Sequence, residues 1–246
     1  MKLSAVEIVI NDKKFIINFR EDSEGDRGVI EQILFNQDYD ITSWAQGIKL
    51  IEYHYEQSQW RPSLIVDAGA NIGASVLYFL NFFQNSFVFS VEPEPLNWQL
   101  LEINTADYLN NFNFQGAISN TDGEVFLEDP GLSDWGFRTN SNKNEDNNYA
   151  NPVKSISPVS ILSNPLVSGM TPLILKVDIE GGENSLFDGD TSWLEKFPLV
   201  IIELHDWLLP FSGSSRNFLR AVSQHEFDFV YRGENIFLFN RNILSK

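Results

Sequence analysis

The stretch Val66-Asp67-Ala68-Gly69-Ala70-Asn71-Ile72-Gly73 constrains this chain more than any other. It follows a short apolar run, Leu64-Ile65-Val66, and leads into a helical run from Ala74 to Phe83. A buried strand, a glycine-containing turn and a helix, in that order, open a βαβ unit and commit the chain to a parallel sheet with packed helices. In such a turn glycine lets the backbone come close to a ligand, and the helix N-terminus offers free N–H groups.

The alternation continues downstream. Phe87 to Val91 reads as a second strand, Pro95 to about Tyr108 as a helix, and Phe112 to Ile118 as a third strand, with a small extra strand at Glu124 to Leu127. Leu173 to Val177 and Leu199 to Leu204 are continuous apolar runs, as expected of central strands buried on both faces. Ser215 to Gln224 reads as a helix. Phe227 to Tyr231 and Ile236 to Phe239, split by Arg232-Gly233-Glu234-Asn235, read as a closing antiparallel pair. The expected fold is α/β, a seven-stranded, mostly parallel sheet with helices on both faces.

Upstream, residues 5–19 alternate around Asn11-Asp12 as a hairpin, and residues 27–36 and 44–55 carry helical patterns. Residues 1–60 therefore read as an N-terminal extension, a lid or packing layer on a main domain of residues 61–246. Residues 140–151 are polar and Asn-rich, and read as a mobile surface loop.

Composition removes several classes of partner. Lys and Arg number 17 against 34 Asp and Glu, a net charge of −17 with no basic cluster, so a nucleic-acid backbone would be repelled. The absence of cysteine excludes disulfides, zinc thiolates, iron–sulfur chemistry and a Cys nucleophile. No apolar run approaches the ~18 residues of a membrane span. The N-terminus alternates rather than forming the apolar core of a signal peptide. A cytoplasmic protein with no nucleic-acid and no membrane partner is expected, with homo-oligomerisation left open.

A dinucleotide fingerprint would place glycine at positions 67, 69 and 72, where this chain has Asp67, Gly69 and Ile72. An acidic residue two before the first glycine repels a pyrophosphate. It suits a ligand that carries an ammonium beside a sulfonium. Glu92, at the end of the next strand, is placed to accept hydrogen bonds from two ribose hydroxyls. The alternatives are a helix N-cap for Asp67 and an exposed strand-end charge for Glu92.

Asp67-x-Gly69-x-x-x-Gly73 resembles the first motif of class I S-adenosylmethionine-dependent methyltransferases. Val91-Glu92-Pro93-Glu94-Pro95-Leu96-Asn97, Leu175-Lys176-Val177-Asp178-Ile179-Glu180-Gly181-Gly182-Glu183 and Ile202-Glu203-Leu204-His205 are similar to the FkbM-type methyltransferases over about residues 64–206. The resemblance implies a Rossmann-like class I fold, S-adenosylmethionine as cofactor, and usually O-methylation of a small-molecule or secondary-metabolite hydroxyl. It places Asp67, Gly69, Asn71 and Gly73 of the turn, Glu92 and Pro93 after the second strand, and Ala117 and Ile118 at the end of the third, on the cofactor. Carboxylate or peptide methylation, and a binding domain without turnover, remain open. The Asn-rich loop and the chain beyond residue 206 depart from the family pattern.

Strand alternation puts Lys176, Asp178 and Glu180 on one side of their strand, and Glu203 and His205 together on theirs. His205 titrates near neutral pH and is the natural base for an acceptor hydroxyl, with Asp178 as orienter or alternative base and Glu180 beside them. The same residues admit a structural reading: a buried Lys176–Glu203 ion pair, Glu180 and Glu183 capping the helix after Gly181-Gly182, and a packed His205. A divalent metal on Asp178, Glu180 and His205 is a weaker alternative, and none is expected. Trp135 and Phe137 are candidates for an acceptor wall or for core. His54 and His225 lie outside any motif. There is no Asn/Asp-Pro-Pro-aromatic string of the kind used on nucleobases.

Overall fold

The structure is a computed structural model that describes residues 2–128, 138–140, 152–208 and 210–246. It opens with the expected hairpin, β1 (Leu3–Ile10) and β2 (Lys13–Arg20), whose turn residues Asn11 and Asp12 both have positive φ. This is the two-residue turn whose twist matches paired strands. Helix α1 (Glu24–Ile30) continues into a π-helical turn, Glu31–Phe35, and α2 (Ala45–Ser58) follows.

The main domain then alternates as the sequence implies: β3 (Ser63–Ala68), α3 (Ala74–Phe82), β4 (Ser86–Glu92), α4 (Pro95–Thr105) and β5 (Asn111–Gln115). After β6 (Ala117–Ile118), β7 (Gly123–Glu128), β8 (Arg138–Asn140) and β9 (Pro152–Ile156) come α5 (Pro158–Leu162), β10 (Thr171–Val177), α6 (Glu183–Leu186) and β11 (Leu199–Glu203). Helix α7 (Arg216–Val222), the β12 (Phe227–Arg232) and β13 (Asn235–Asn240) pair, and α8 (Arg241–Leu244) close the chain.

Seven strands form one sheet in the order β12-β13-β11-β10-β3-β4-β5. The pairs from β11 to β5 are parallel, and β13 runs antiparallel to both its neighbours. Alternating side chains feed two apolar clusters, one on each face. Ile65, Val88, Ile174, Ile201 and Phe237 join α3 on one side; Val66, Phe89, Leu175, Val200 and Leu238 join Leu186, Leu194 and Phe218 on the other. Ile8, Ile17, Ile33, Tyr39 and Leu50 belong to the first cluster, so residues 1–60 share its core. Helix α3 is buried from Ala74 to Asn81 because it lies between the sheet and this N-terminal layer.

One expectation on the strands is corrected. The third strand breaks at Gly116, and Ala117 and Ile118 leave the main sheet to pair with β9. A Cβ at Gly116 would stand 2.4 Å from the Lys154 carbonyl oxygen, so the crossing of these backbones requires glycine. The small extra strand expected at Glu124 to Leu127 forms as β7, within a second, four-stranded sheet, β6-β9-β7-β8. Trp135, Phe137 and nearly all of the Asn-rich segment lie outside the described residues. No helix among the described residues is long and apolar enough to cross a membrane.

Candidate active site

The β3–α3 turn, the end of β4 and the ends of β10 and β11 lie together at the carboxyl edge of the parallel strands, where open α/β sheets bind ligands. Asp67 is fully buried and accepts a 2.5 Å hydrogen bond from Ser75 Oγ, while Gly73, not Asp67, stands at the N-cap of α3. Gly69 has φ +80, and a Cβ there would sit 1.7 Å from the backbone oxygen of Asp178. At Gly73, φ +92, it would sit 2.9 Å from the Leu101 side chain. Backbone packing therefore demands glycine at 69, and the left-handed backbone favours it at 73.

Glu92 is buried, not an exposed strand-end charge. One carboxylate oxygen accepts from the Asn71 backbone N–H at 2.8 Å and the other from that of Glu94 at 2.9 Å. Burial outweighs these bonds and pushes its pKa up to about 7. Asn71 itself is left-handed at φ +49, and its Oδ1 accepts from the Ile72 N–H. Pro93 is half-buried after Glu92, and Ala117 and Ile118 are buried in the second sheet.

Asn104 of α4 ties this turn to the N-terminal layer. Its amide donates to the carbonyl oxygens of Ile72 and Asn18, and its oxygen accepts from the Asn18 backbone N–H. The β3–α3 turn is thus anchored to α4 and β2 as well as to the sheet.

Lys176 corrects the expected ion pair with Glu203. The register of β10 sets Lys176 opposite Asp67 on β3 and apolar Ile201 on β11, so the ammonium turns to β3. Its Nζ lies 3.3 Å from Asp67 and 3.5 Å from Asp178, and donates at 2.6 Å to the Gly69 carbonyl oxygen. Burial works against the charge, but the carboxylates outweigh it and raise the Lys176 pKa above its ordinary value.

Asp178, Glu180, Glu203 and His205 converge on a cavity of about 380 Å³, which also touches Val29 and Gln32 of the N-terminal layer and exposed Trp207. Since β10 ends at Val177, Asp178 and Glu180 reach it from a loop in which Glu180 and Gly181 have φ +53 and +97. Strand alternation on β10 accordingly does not position Glu180. His205 is buried; its Nδ1 lies 2.7 Å from Glu183 Oε1, and its Nε2 lies 3.4 Å from Glu203, 3.6 Å from Glu180 and 3.7 Å from Asp178. Burial opposes a charged imidazole, but Glu183 and Glu203 outweigh it and push its pKa up to about 11. This works against His205 as a free base at neutral pH. Burial and Asp178 push Glu180 up to about 8, and burial raises Glu203.

Asp178, Glu180 and His205 are therefore brought together, with Glu183 and Glu203 against the same imidazole. Glu203 is legible from its alternation with His205. Glu183 reads from the sequence as a helix cap, and it does accept from the Gly181 N–H at 3.1 Å, but it also holds the imidazole. Of the other histidines, buried His54 contacts Ser63 Oγ through Nδ1, and His225 contacts Glu195.

Residues 67–231, about two thirds of the chain, match the family described as Methyltransferase FkbM domain. No curated protein matches the sequence. Among solved structures, methyltransferase FkbM from Methylobacillus flagellatus KT is 17% identical with a TM-score of 0.46, over 77% of this chain and 50% of that one. The chain thus spans about half the length of that relative. Aeropyrum pernix fibrillarin, solved with S-adenosyl-L-methionine, is 8% identical with a TM-score of 0.41, over 77% of this chain and 73% of that one. M. capricolum TrmK, solved with S-adenosyl-homocysteine, is 10% identical with a TM-score of 0.38, over 76% of this chain and 65% of that one.

Proposed function

The chain belongs to the FkbM methyltransferase family, and we propose that it transfers a methyl group from S-adenosylmethionine to a hydroxyl oxygen of a small molecule held in the cavity beside His205. The observation that carries this reading is the convergence of Asp178, Glu180, Glu203 and His205 on one cavity next to the β3–α3 turn. Residues 61–246 supply the reaction, and residues 1–60 act as a packing layer that lends Val29 and Gln32 to the acceptor wall.

The residues fit the cofactor. Glu92 has two backbone donors for about four lone-pair positions and is strongly desolvated, so a pair of ribose hydroxyls matches its unmet acceptor capacity. Gly69, Asn71, Gly73 and Pro93 complete that side, with Asp67 buried beneath the turn as the counter-charge of Lys176 and Ala117 and Ile118 beyond them. S-adenosylmethionine supplies a methyl group made electrophilic by its sulfonium.

This chain's task is to orient the acceptor oxygen in line and to take its proton. Asp178 and Glu180 face the cavity with side chains 30% and 29% exposed, whereas that of His205 is 2% exposed. An acceptor therefore meets the carboxylates first. Glu180, which ionises near pH 8, takes the proton in its charged form, Asp178 orients the hydroxyl, and His205, which holds its proton to higher pH, sits behind them as a positioning residue. The left-handed backbone at Glu180 fits this assignment, since strain of this kind gathers at functional sites. The net charge of −17 favours a small acceptor over nucleic acid.

Labelled donor incubated with the protein and a metabolite extract, read by mass spectrometry for added methyl groups, tests the activity. Calorimetry with S-adenosylhomocysteine and NAD tests the site: binding of NAD alone would overturn the reading.

A further inference from the structure

The His205 side chain faces two ways. It is 2% exposed, and Nδ1 is fixed at 2.7 Å by Glu183, which is itself fully buried. Nε2 is aimed into three carboxylates, yet each of its distances, 3.4, 3.6 and 3.7 Å, exceeds the ~2.7–3.2 Å of an ordinary N–H···O bond. An imidazole oriented through one nitrogen by a buried carboxylate, with the other nitrogen presented to further carboxylates, is the arrangement in which histidine ligates metals.

The oxygens complete the set. One ligand atom each from Asp178, Glu203 and His205 lie within 4.8 Å of one another. Two ligands about 2.2 Å from a small divalent ion, in adjacent octahedral positions, stand about 3.1 Å apart. The separations from Nε2 need to close by about 0.3 Å to Glu203 and about 0.6 Å to Asp178. Charge points the same way. Asp178, Glu180, Glu183 and Glu203 surround one imidazole, and the nearby Lys176 contacts the other oxygen of Asp178 and leans toward Asp67.

We propose that Asp178, Glu203 and His205 form a binding site for one divalent cation at the floor of the cavity, with Glu183 as the buried carboxylate that orients the imidazole. Two carboxylates and one imidazole suit Mn²⁺, or Mg²⁺ at lower affinity, better than a thiophilic ion. Three protein ligands leave open positions on the cavity side. In a consequence that rests on the methyltransferase reading, those positions select acceptors that offer two adjacent oxygens.

The test is Mn²⁺ titrated into the chelator-treated full chain, followed by calorimetry and electron paramagnetic resonance. One ion per chain is expected, with a nitrogen modulation in the electron spin echo from the His205 ring. Glu203→Gln and His205→Asn should each weaken binding at least tenfold, whereas Glu92→Gln, in the proposed cofactor site, should not. The spin-echo signature is read on the unaltered protein, so it stands even where a variant fails to fold. No binding at millimolar Mn²⁺ or Mg²⁺, or binding without nitrogen modulation and indifferent to Glu203→Gln, would overturn the site. The readout needs no methyl transfer, so its failure leaves the methyltransferase reading intact, and absence of transfer with the ion bound counts against that reading alone.

Discussion

Lys176 Nζ donates a 2.6 Å hydrogen bond to the carbonyl oxygen of Gly69, so a buried cation on β10 pins the glycine turn that follows β3. The same ammonium lies between Asp67 and Asp178, one toward each side of the proposed site. Lys176→Met leaves the fully buried Asp67 without its counter-charge and should cost about 3–5 kcal/mol in denaturant unfolding. Adding Asp67→Asn removes the stranded charge, so the double variant should be more stable than Lys176→Met alone. Simple additivity of the two losses would show that the ion pair does not hold the turn.

Gly69 separates two costs that are usually mixed. A left-handed backbone costs an L-residue about 1–2 kcal/mol, and Gly169, at φ +83 with open space around it, should lose about that much as Gly169→Ala. Gly69→Ala meets the same strain at φ +80 plus a Cβ 1.7 Å from the Asp178 oxygen. It should lose about 3 kcal/mol or more and displace the end of β10. Equal losses for the two variants, measured by denaturant midpoint, would mean that the turn moves away freely.

Much of this architecture is legible in the sequence because it rests on local pattern. Apolar residues fill both faces of β10 and β11 from Leu173 and Leu199 onward, as central strands require, and the buried polar exceptions, Lys176 and Glu203, stand toward the carboxyl edge of the sheet. What stays hidden depends on partners far along the chain. Whether Lys176 turns to β3 or β11 is decided by strand order and register, not by its neighbours in sequence. The Glu183–His205 contact joins the start of α6 to the loop after β11. Gly116 breaks a strand because of the Lys154 backbone, and Gln32 reaches the cavity from a layer that carries no chemical motif.

Glu180 is the proposed base, and two substitutions separate its chemistry from its backbone. Glu180→Gln keeps the shape and removes the proton acceptor, so methyl transfer should fall by roughly 10²–10⁴-fold while S-adenosylhomocysteine affinity holds. Glu180→Gly relieves the left-handed backbone at φ +53 and should raise the unfolding midpoint while transfer falls as far. Near-normal turnover in Glu180→Gln would move the base to Asp178.

Glu92 links stability, pH and cofactor binding. Burial holds its folded-state pKa at about 7, against an ordinary value of 4.5. Between those values the folded protein keeps a proton that the unfolded chain has released, so Glu92 makes stability fall as pH rises through the window, by about 3 kcal/mol in all. Glu92→Gln carries no titrating group and should lack this part of the slope, which makes the difference between the two proteins the measurement. Ribose hydroxyls donate best to the ionised carboxylate, so S-adenosylhomocysteine affinity of the unaltered protein should rise between about pH 5.5 and 8. Glu92→Gln should bind at least tenfold more weakly above pH 7, with a flatter pH dependence, because its amide replaces one acceptor oxygen by a donor. Parallel stability slopes with unequal affinities would place the buried proton on another group while keeping Glu92 on the ribose. Equal affinities at every pH would mean that the ribose is held elsewhere.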